Sequence, residues 1–70
     1  MKINNLELYR KKAGYSQSKL ASLSKIPQTT ICSWEHNIGE PSYSRAVLLA
    51  KLLDTTTERL FGDYEQLFGN

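Results

Sequence analysis

Residues 26–37 read IPQTTICSWEHN, and one side of this stretch offers hydrogen bonding and little else. An α-helix turns about 100° per residue. On that wheel Gln28, Thr29, Cys32, Ser33 and His36 share one side, while Pro27, Ile31, Trp34 and Ile38 share the other as a core stripe. The first set is short, polar and nearly uncharged. The Gln amide and the Thr and Ser hydroxyls each donate and accept hydrogen bonds. A face in contact with water alone would be richer in Glu and Lys, which favour helix more than Thr, Ser or His do. Catalysis finds no such support. The chain has no paired carboxylates, nucleophile–base pair or metal-ligand cluster to argue from, and a chain this small leaves little room for a substrate pocket. His36 lies at i+4 from Cys32 and is the nearest group that could activate the thiol. The bland reading of the two is a small surface residue and a backbone contact or bystander.

A helix that shows such a face must be gripped from behind, and the rest of the chain supplies short helices to do so. Gly14, Pro27, Asn37-Ile38-Gly39, Pro41 and Gly62 punctuate short apolar-periodic pieces, with no period-two run that would mark a strand. The spacing predicts a first helix over about 3–13, carrying Leu6, Tyr9 and Ile3 inward and closed by Gly14. Ser16 caps a second, with Leu20, Ala21 and Leu23 inward. A third follows a short link, with Pro27 in its first turn, where a missing N–H costs nothing. Asn37 suits a left-handed stop. Ser42 caps a fourth helix with Ala46, Leu49, Ala50 and Leu53 as its stripe. Thr55 or Thr56 starts a short fifth that holds Leu60 and Phe61 and ends at Gly62. Two helices joined by a short turn form a helix-turn-helix, and the later helices close a bundle around Trp34.

Size and composition bound the class. Seventy residues make a single domain, 1–70, with a core over about 3–62 and a tail over 63–70. One cysteine excludes an internal disulfide, and one Cys with one His is too few for a structural zinc site. No cofactor is called for. No apolar run approaches the roughly 18–20 residues of a membrane span, and the N-terminus lacks a signal core. The expected location is the cytoplasm. The net charge of +2 is unevenly spread. Residues 1–34 hold six Lys and Arg against one Glu, whereas residues 35–70 hold three against six Asp and Glu. Such polarity suits a positive half that meets a polyanion.

Two helix starts break the usual preference. Three residues after each capping serine, where Glu or Gln would complete a capping box, stand Lys19 and Arg45. A cation there opposes the helix dipole by a few tenths of a kcal/mol. A phosphate docked at each start would reverse that sign.

The run YSQSKLASLSKIPQTTICSWEHN, then EPS, then LLAKLLDTTTERLFG, resembles the DNA-binding domain of the Cro/phage-repressor-like helix-turn-helix family, also called the XRE family. The resemblance extends from about Leu6 to Gly62. It rests on Ser16-Gln17, Leu20-Ala21, Thr30-Ile31, Trp34-Glu35, Pro41-Ser42 and Leu60-Phe61-Gly62 together. It implies an all-α, compact five-helix bundle of the lambda-repressor-like kind, with helix three as the recognition helix in the DNA major groove. Gln28, Thr29 and Ser33 then match base-reading positions, with Cys32 beside them. Gln17 matches a phosphate-touching glutamine at the start of helix two. Asn37, Ser42, Tyr43 and Ser44 match positions that hold the DNA backbone, joined by Lys19 and Arg45. Arg10 and Glu35 match a structural ion pair between helices one and three. Departures from the pattern are Lys25, where Gly is common, and the cation-free loop Asn37-Ile38-Gly39-Glu40.

Given such a partner, a Gln reads adenine N6 and N7 with two hydrogen bonds, and a Thr offers its hydroxyl to a base or its methyl to thymine. The expected function is a sequence-specific DNA-binding transcriptional regulator, a repressor, on a pseudo-palindromic operator. Leu48, Leu52, Leu67 and Phe68 exceed the needs of a minimal bundle. Either the tail covers helix four within one chain, or these residues form a homodimer interface, the reading preferred here. The rival function is a protein-interaction module, antitoxin-like or an anti-repressor partner, on the same bundle.

Overall fold

The computed structural model describes residues 4–62, whose regular elements are all helices: α1 Leu6–Lys12, α2 Gln17–Ser24, α3 Gln28–Glu35, α4 Tyr43–Leu52 and α5 Thr57–Phe61. No strand occurs among the described residues. The all-α five-helix expectation therefore holds, with shorter ends than the periodicity suggests.

The first helix starts at Leu6, because Asn4 turns its side chain onto the helix start: its Oδ1 accepts from the Leu6 N–H at 3.0 Å. Ile3 lies outside the described residues. Glu7 in the first turn and Arg10, Lys11 and Lys12 in the last all complement the helix dipole. Glu7 also pairs with Lys11 at 3.0 Å, one turn on. The helix closes as a Schellman motif. The Tyr15 N–H donates to the Arg10 carbonyl at 3.1 Å and the Gly14 N–H to that of Lys11 at 3.0 Å, with Gly14 at φ 82°. The same motif ends α3 at Asn37 (φ 62°) and α4 at Asp54 (φ 55°). Asn and Asp are the two side-chain-bearing residues that visit this region most readily.

The serine and threonine caps stand where the spacing placed them. The Ser16 Oγ accepts from the Lys19 N–H at 3.0 Å, the Ser42 Oγ from that of Arg45 at 3.4 Å, and the Thr56 Oγ1 from that of Arg59 at 3.1 Å. Of the two candidate threonines, Thr56 is the cap, whereas Thr55 Oγ1 is buried without a partner.

Pro27 departs from expectation. It is the cap of α3 rather than its first helical residue, at φ −56° and ψ 140°. Its carbonyl accepts from the N–H groups of Thr30 and Ile31 at 3.0 and 3.1 Å, and its ring is exposed. The core stripe on α3 is correspondingly narrower than the wheel implied. Ile31 and Trp34 are buried, but Ile38 is 65% exposed, because the left-handed Asn37 turns the chain off the helix before it. Leu23 is likewise surface-lying rather than core.

The core is one cluster. Leu6 of α1, Leu20 of α2, Ile31 and Trp34 of α3, Ala46 and Leu49 of α4 and Leu60 of α5 all turn into it, with Pro41 sealed in the loop before α4. α2 packs on both α3 and α4, and α1 bridges α3 and α5. α3 is thus held on its Trp34 side and shows its other side outward.

Candidate nucleic-acid interface

The outward side of α3 begins with Gln28 and Thr29, both exposed, and continues with Cys32 and Ser33, both half-buried, to exposed His36. It carries no carboxylate. Glu35, the one acid of the helix, faces inward, with its side chain only 2% exposed. The Arg10 guanidinium holds it through Nε to Oε2 at 2.6 Å and Nη2 to Oε1 at 3.2 Å. The expected ion pair between α1 and α3 is therefore present, and it fixes α3 from behind. Arg10 is itself buried and donates from Nη1 to the Tyr15 carbonyl at 2.8 Å, so the same side chain also pins the link into α2. The hydrogen bond to Glu35 raises the guanidinium pKa further, outweighing burial, which lowers it. The Glu7 carboxyl is held below its ordinary value, first by the hydrogen bond from Lys11 and then by its charge.

Gln17 belongs to this network. Its Nε2 donates to Glu35 Oε1 at 2.9 Å, and the side chain is half-buried. One amide hydrogen is therefore engaged inside the molecule, and the other remains for an outside acceptor. Glu35 thus ties together the first helix, the start of the second and the end of the third.

Cys32 and His36 meet as their spacing predicts. His36 Nδ1 lies 2.8 Å from the Cys32 carbonyl and 3.8 Å from its Sγ. A carbonyl accepts, so Nδ1 carries the proton and covers one of the free carbonyls at the helix end. That proton leaves Nδ1 unable to act as a base toward the thiol.

The remaining candidates flank α3. Lys19 stands exposed in the first turn of α2, and Ser42, Tyr43, Ser44 and Arg45 stand exposed at the start of α4. The Ser42 and Ser44 hydroxyls lie 3.3 Å apart. Asn37 closes α3, and its side-chain oxygen is already occupied: it accepts from Asn4 Nδ2 at 3.0 Å and from the Asn4 N–H at 3.4 Å. On α4, Leu48 is 38% exposed. Leu52 is half-buried and lines a cavity of about 380 Å³ with Tyr9, Lys12, Ala13, Tyr15, Leu53 and Asp54. Leu67 and Phe68 lie outside the described residues.

Asn4 and Asn5 carry no signal in the sequence beyond that of a helix start, because their partners lie far along the chain. Asn4 Nδ2 also donates to the Trp34 carbonyl at 2.6 Å, and Asn5 Nδ2 to that of Arg59 at 2.9 Å. Among the described residues no three or more His, Cys, Asp or Glu gather as a metal site, and no helix is long and apolar enough to cross a membrane.

A short turn between two helices, the second showing a neutral polar face and locked by a buried ion pair, defines a helix-turn-helix module within a five-helix bundle. The chain belongs to the XRE-type helix-turn-helix family, whose model, described as helix-turn-helix, matches residues 6–60. It is similar to the HTH-type transcriptional regulator AnsR of Bacillus subtilis (strain 168), with 33% identity over 66 residues. That alignment covers 94% of this chain and 57% of AnsR, so the chain spans a little over half the length of this relative. Among solved structures it is similar to SinR, the master regulator for biofilm formation, in complex with DNA. The TM-score is 0.72 and the identity 29%, over 77% of this chain and 87% of that one. It is similar also to the SinR–SinI complex, with TM-score 0.76 and 26% identity, over 91% of this chain and 63% of that one.

Proposed function

We propose that this chain is the DNA-reading domain of a transcriptional regulator, a repressor, acting as one unit over residues 1–70. In this reading it inserts α3 into the major groove of a pseudo-palindromic operator as a homodimer. The half-sites lie about one helical turn apart, roughly 34 Å. One observation carries the reading: the outward side of α3 shows Gln28, Thr29, Cys32 and Ser33 with no carboxylate, while Arg10 and Glu35 lock the helix from behind. Short neutral side chains let the backbone approach base edges, where a Glu would be repelled by phosphates. Gln28, Thr29, Ser33 and Cys32 read bases. Lys19, Gln17, Asn37, Ser42, Tyr43, Ser44 and Arg45 hold the DNA backbone. Membership in a family whose solved relative SinR is seen in complex with DNA supports the same reading.

Two substitutions separate reading from holding. Gln28→Ala should relax preference at one base position, at a cost of roughly 1–3 kcal/mol of discrimination. Lys19→Ala should weaken all sequences alike and flatten the salt dependence by about one counterion. Selection from a random DNA pool, followed by titration at several salt concentrations, measures both. Equal effects of the two variants on selected and random DNA would overturn the assignment.

A second reading is a module that grips a protein through the same bundle. The complex of the similar SinR with SinI favours it, as do the exposed Leu8, Ile38 and Leu48. A module that binds protein alone should pass through a random-DNA column at low salt.

A further inference from the structure

We infer that Asn4 is a positioning residue for the DNA-facing end of α3, acting through Asn37; this rests on the DNA-reading function proposed above. Asn37 ends α3 in the left-handed conformation, and its exposed side-chain amide has two unlike ends, an oxygen that only accepts and a nitrogen that only donates. A phosphate accepts hydrogen bonds, so only the nitrogen end is useful to the DNA backbone. Asn4 settles which end turns outward. Its backbone N–H and its Nδ2 both converge on Asn37 Oδ1, at 3.4 and 3.0 Å. With its oxygen facing two donors, the Asn37 amide directs Nδ2 away from Asn4.

The same Nδ2 of Asn4 donates to the Trp34 carbonyl at 2.6 Å, so the clamp grips both the last turn of α3 and the residue that stops it. Asn4 is itself held. Its Oδ1 accepts from the Leu6 N–H at 3.0 Å, and the neighbouring Asn5 N–H donates to the Leu60 carbonyl at 2.7 Å. Asn4 and Asn5 therefore belong to the frame of the bundle, anchored on α1 and α5. The cation-free loop after α3 thereby gains a neutral, oriented donor.

The experiment is a double-mutant cycle on selected operator DNA with Asn4→Ala, Asn37→Ala and the pair, with melting curves confirming that each variant is folded. A lost hydrogen bond to a charged group corresponds to roughly a tenfold or greater weakening. Asn37→Ala should weaken binding about tenfold without changing the salt slope, because no cation is removed. Asn4→Ala should weaken it to a similar extent alone and add much less in the Asn37→Ala background, where only its bond to the Trp34 carbonyl is left to lose. A purely structural Asn4 would instead add its full effect in both backgrounds, and that result overturns the inference. A DNA-free measurement runs alongside. Backbone order parameters at Asn37–Gly39, from nitrogen-15 relaxation, should fall in Asn4→Ala; unchanged values also overturn the inference. If the unaltered chain selects no DNA, the proposed function fails and the phosphate role of Asn37 fails with it. A fall in order parameters would then still uphold the clamp as a positioning contact.

Discussion

Glu35 is the residue on which the reading of α3 turns, because three of its contacts come from outside its own helix. Two are charge-assisted bonds from Arg10 and the third comes from Gln17. Removing one partner of a buried ion pair strands the other in a poor environment, at about 3–5 kcal/mol. Glu7 approaches the guanidinium only at 4.0 Å and from an exposed position, so it is no substitute. A chain of this size folds with only a few kcal/mol in hand. Glu35→Ala should therefore be largely unfolded at room temperature by circular dichroism. Arg10→Met with Glu35→Leu should recover most of the helix signal, since an apolar pair of similar volume replaces a buried ion pair at little cost. A melting temperature for Glu35→Ala within a few degrees of the parent would reduce the pair to an ordinary surface contact. The Arg10–Glu35 pairing was legible from the family pattern. The engagement of Gln17 was not, because a glutamine at a helix start looks the same whether its amide turns inward or outward.

Helix boundaries show where local chemistry decides the chain. Ser16, Ser42 and Thr56 all cap as their side chains dictate, and Gly14 and Asn37 both stop a helix in the left-handed region. These signals act over three or four residues, which is why a sequence displays them. Pro27 takes the cap rather than a place in the first turn, because its fixed φ suits either, and the left-handed residue of the link lies two positions before it. That residue is Lys25, held at φ 60° and ψ 30°. A left-handed non-glycine residue costs roughly 1–2 kcal/mol, partly offset when glycine replaces it by the greater freedom glycine loses on folding. Lys25→Gly should thus stabilise the fold by roughly 0.5–1 kcal/mol and raise the melting temperature by roughly 2–8 °C. Lys25→Gln, which removes the charge and keeps the strain, should leave the melting temperature near the parent value. Equal behaviour of the two variants would show that charge, not backbone strain, sets the effect.

Across the described residues, the helix count, most of the core and the outward side of α3 were readable from periodicity, with Ile38 and Leu23 on the surface and Ile26 inside as the exceptions, whereas contacts between distant segments were not. Leu48 belongs to this scale: it is partly exposed on α4 beside Leu52, and the proposed homodimer uses that side. Leu48→Lys should convert a dimer to a monomer in sedimentation velocity while leaving the helix content unchanged. A parent chain that already sediments as a monomer in the presence of operator would remove the two-fold part of the proposal and leave α3 as the reader of a single site. The bonds from Asn5 to Arg59 and Leu60 join segments 54 and 55 residues apart, and they hold the clamp on α3 in place. Contacts so far apart along the chain form only once the intervening helices have come together, so we expect this seam to order late in folding. Amide exchange should find it among the first contacts to open. In the proposed DNA reader, time spent unlatched, rather than time spent unfolded, would then govern how often α3 is out of alignment.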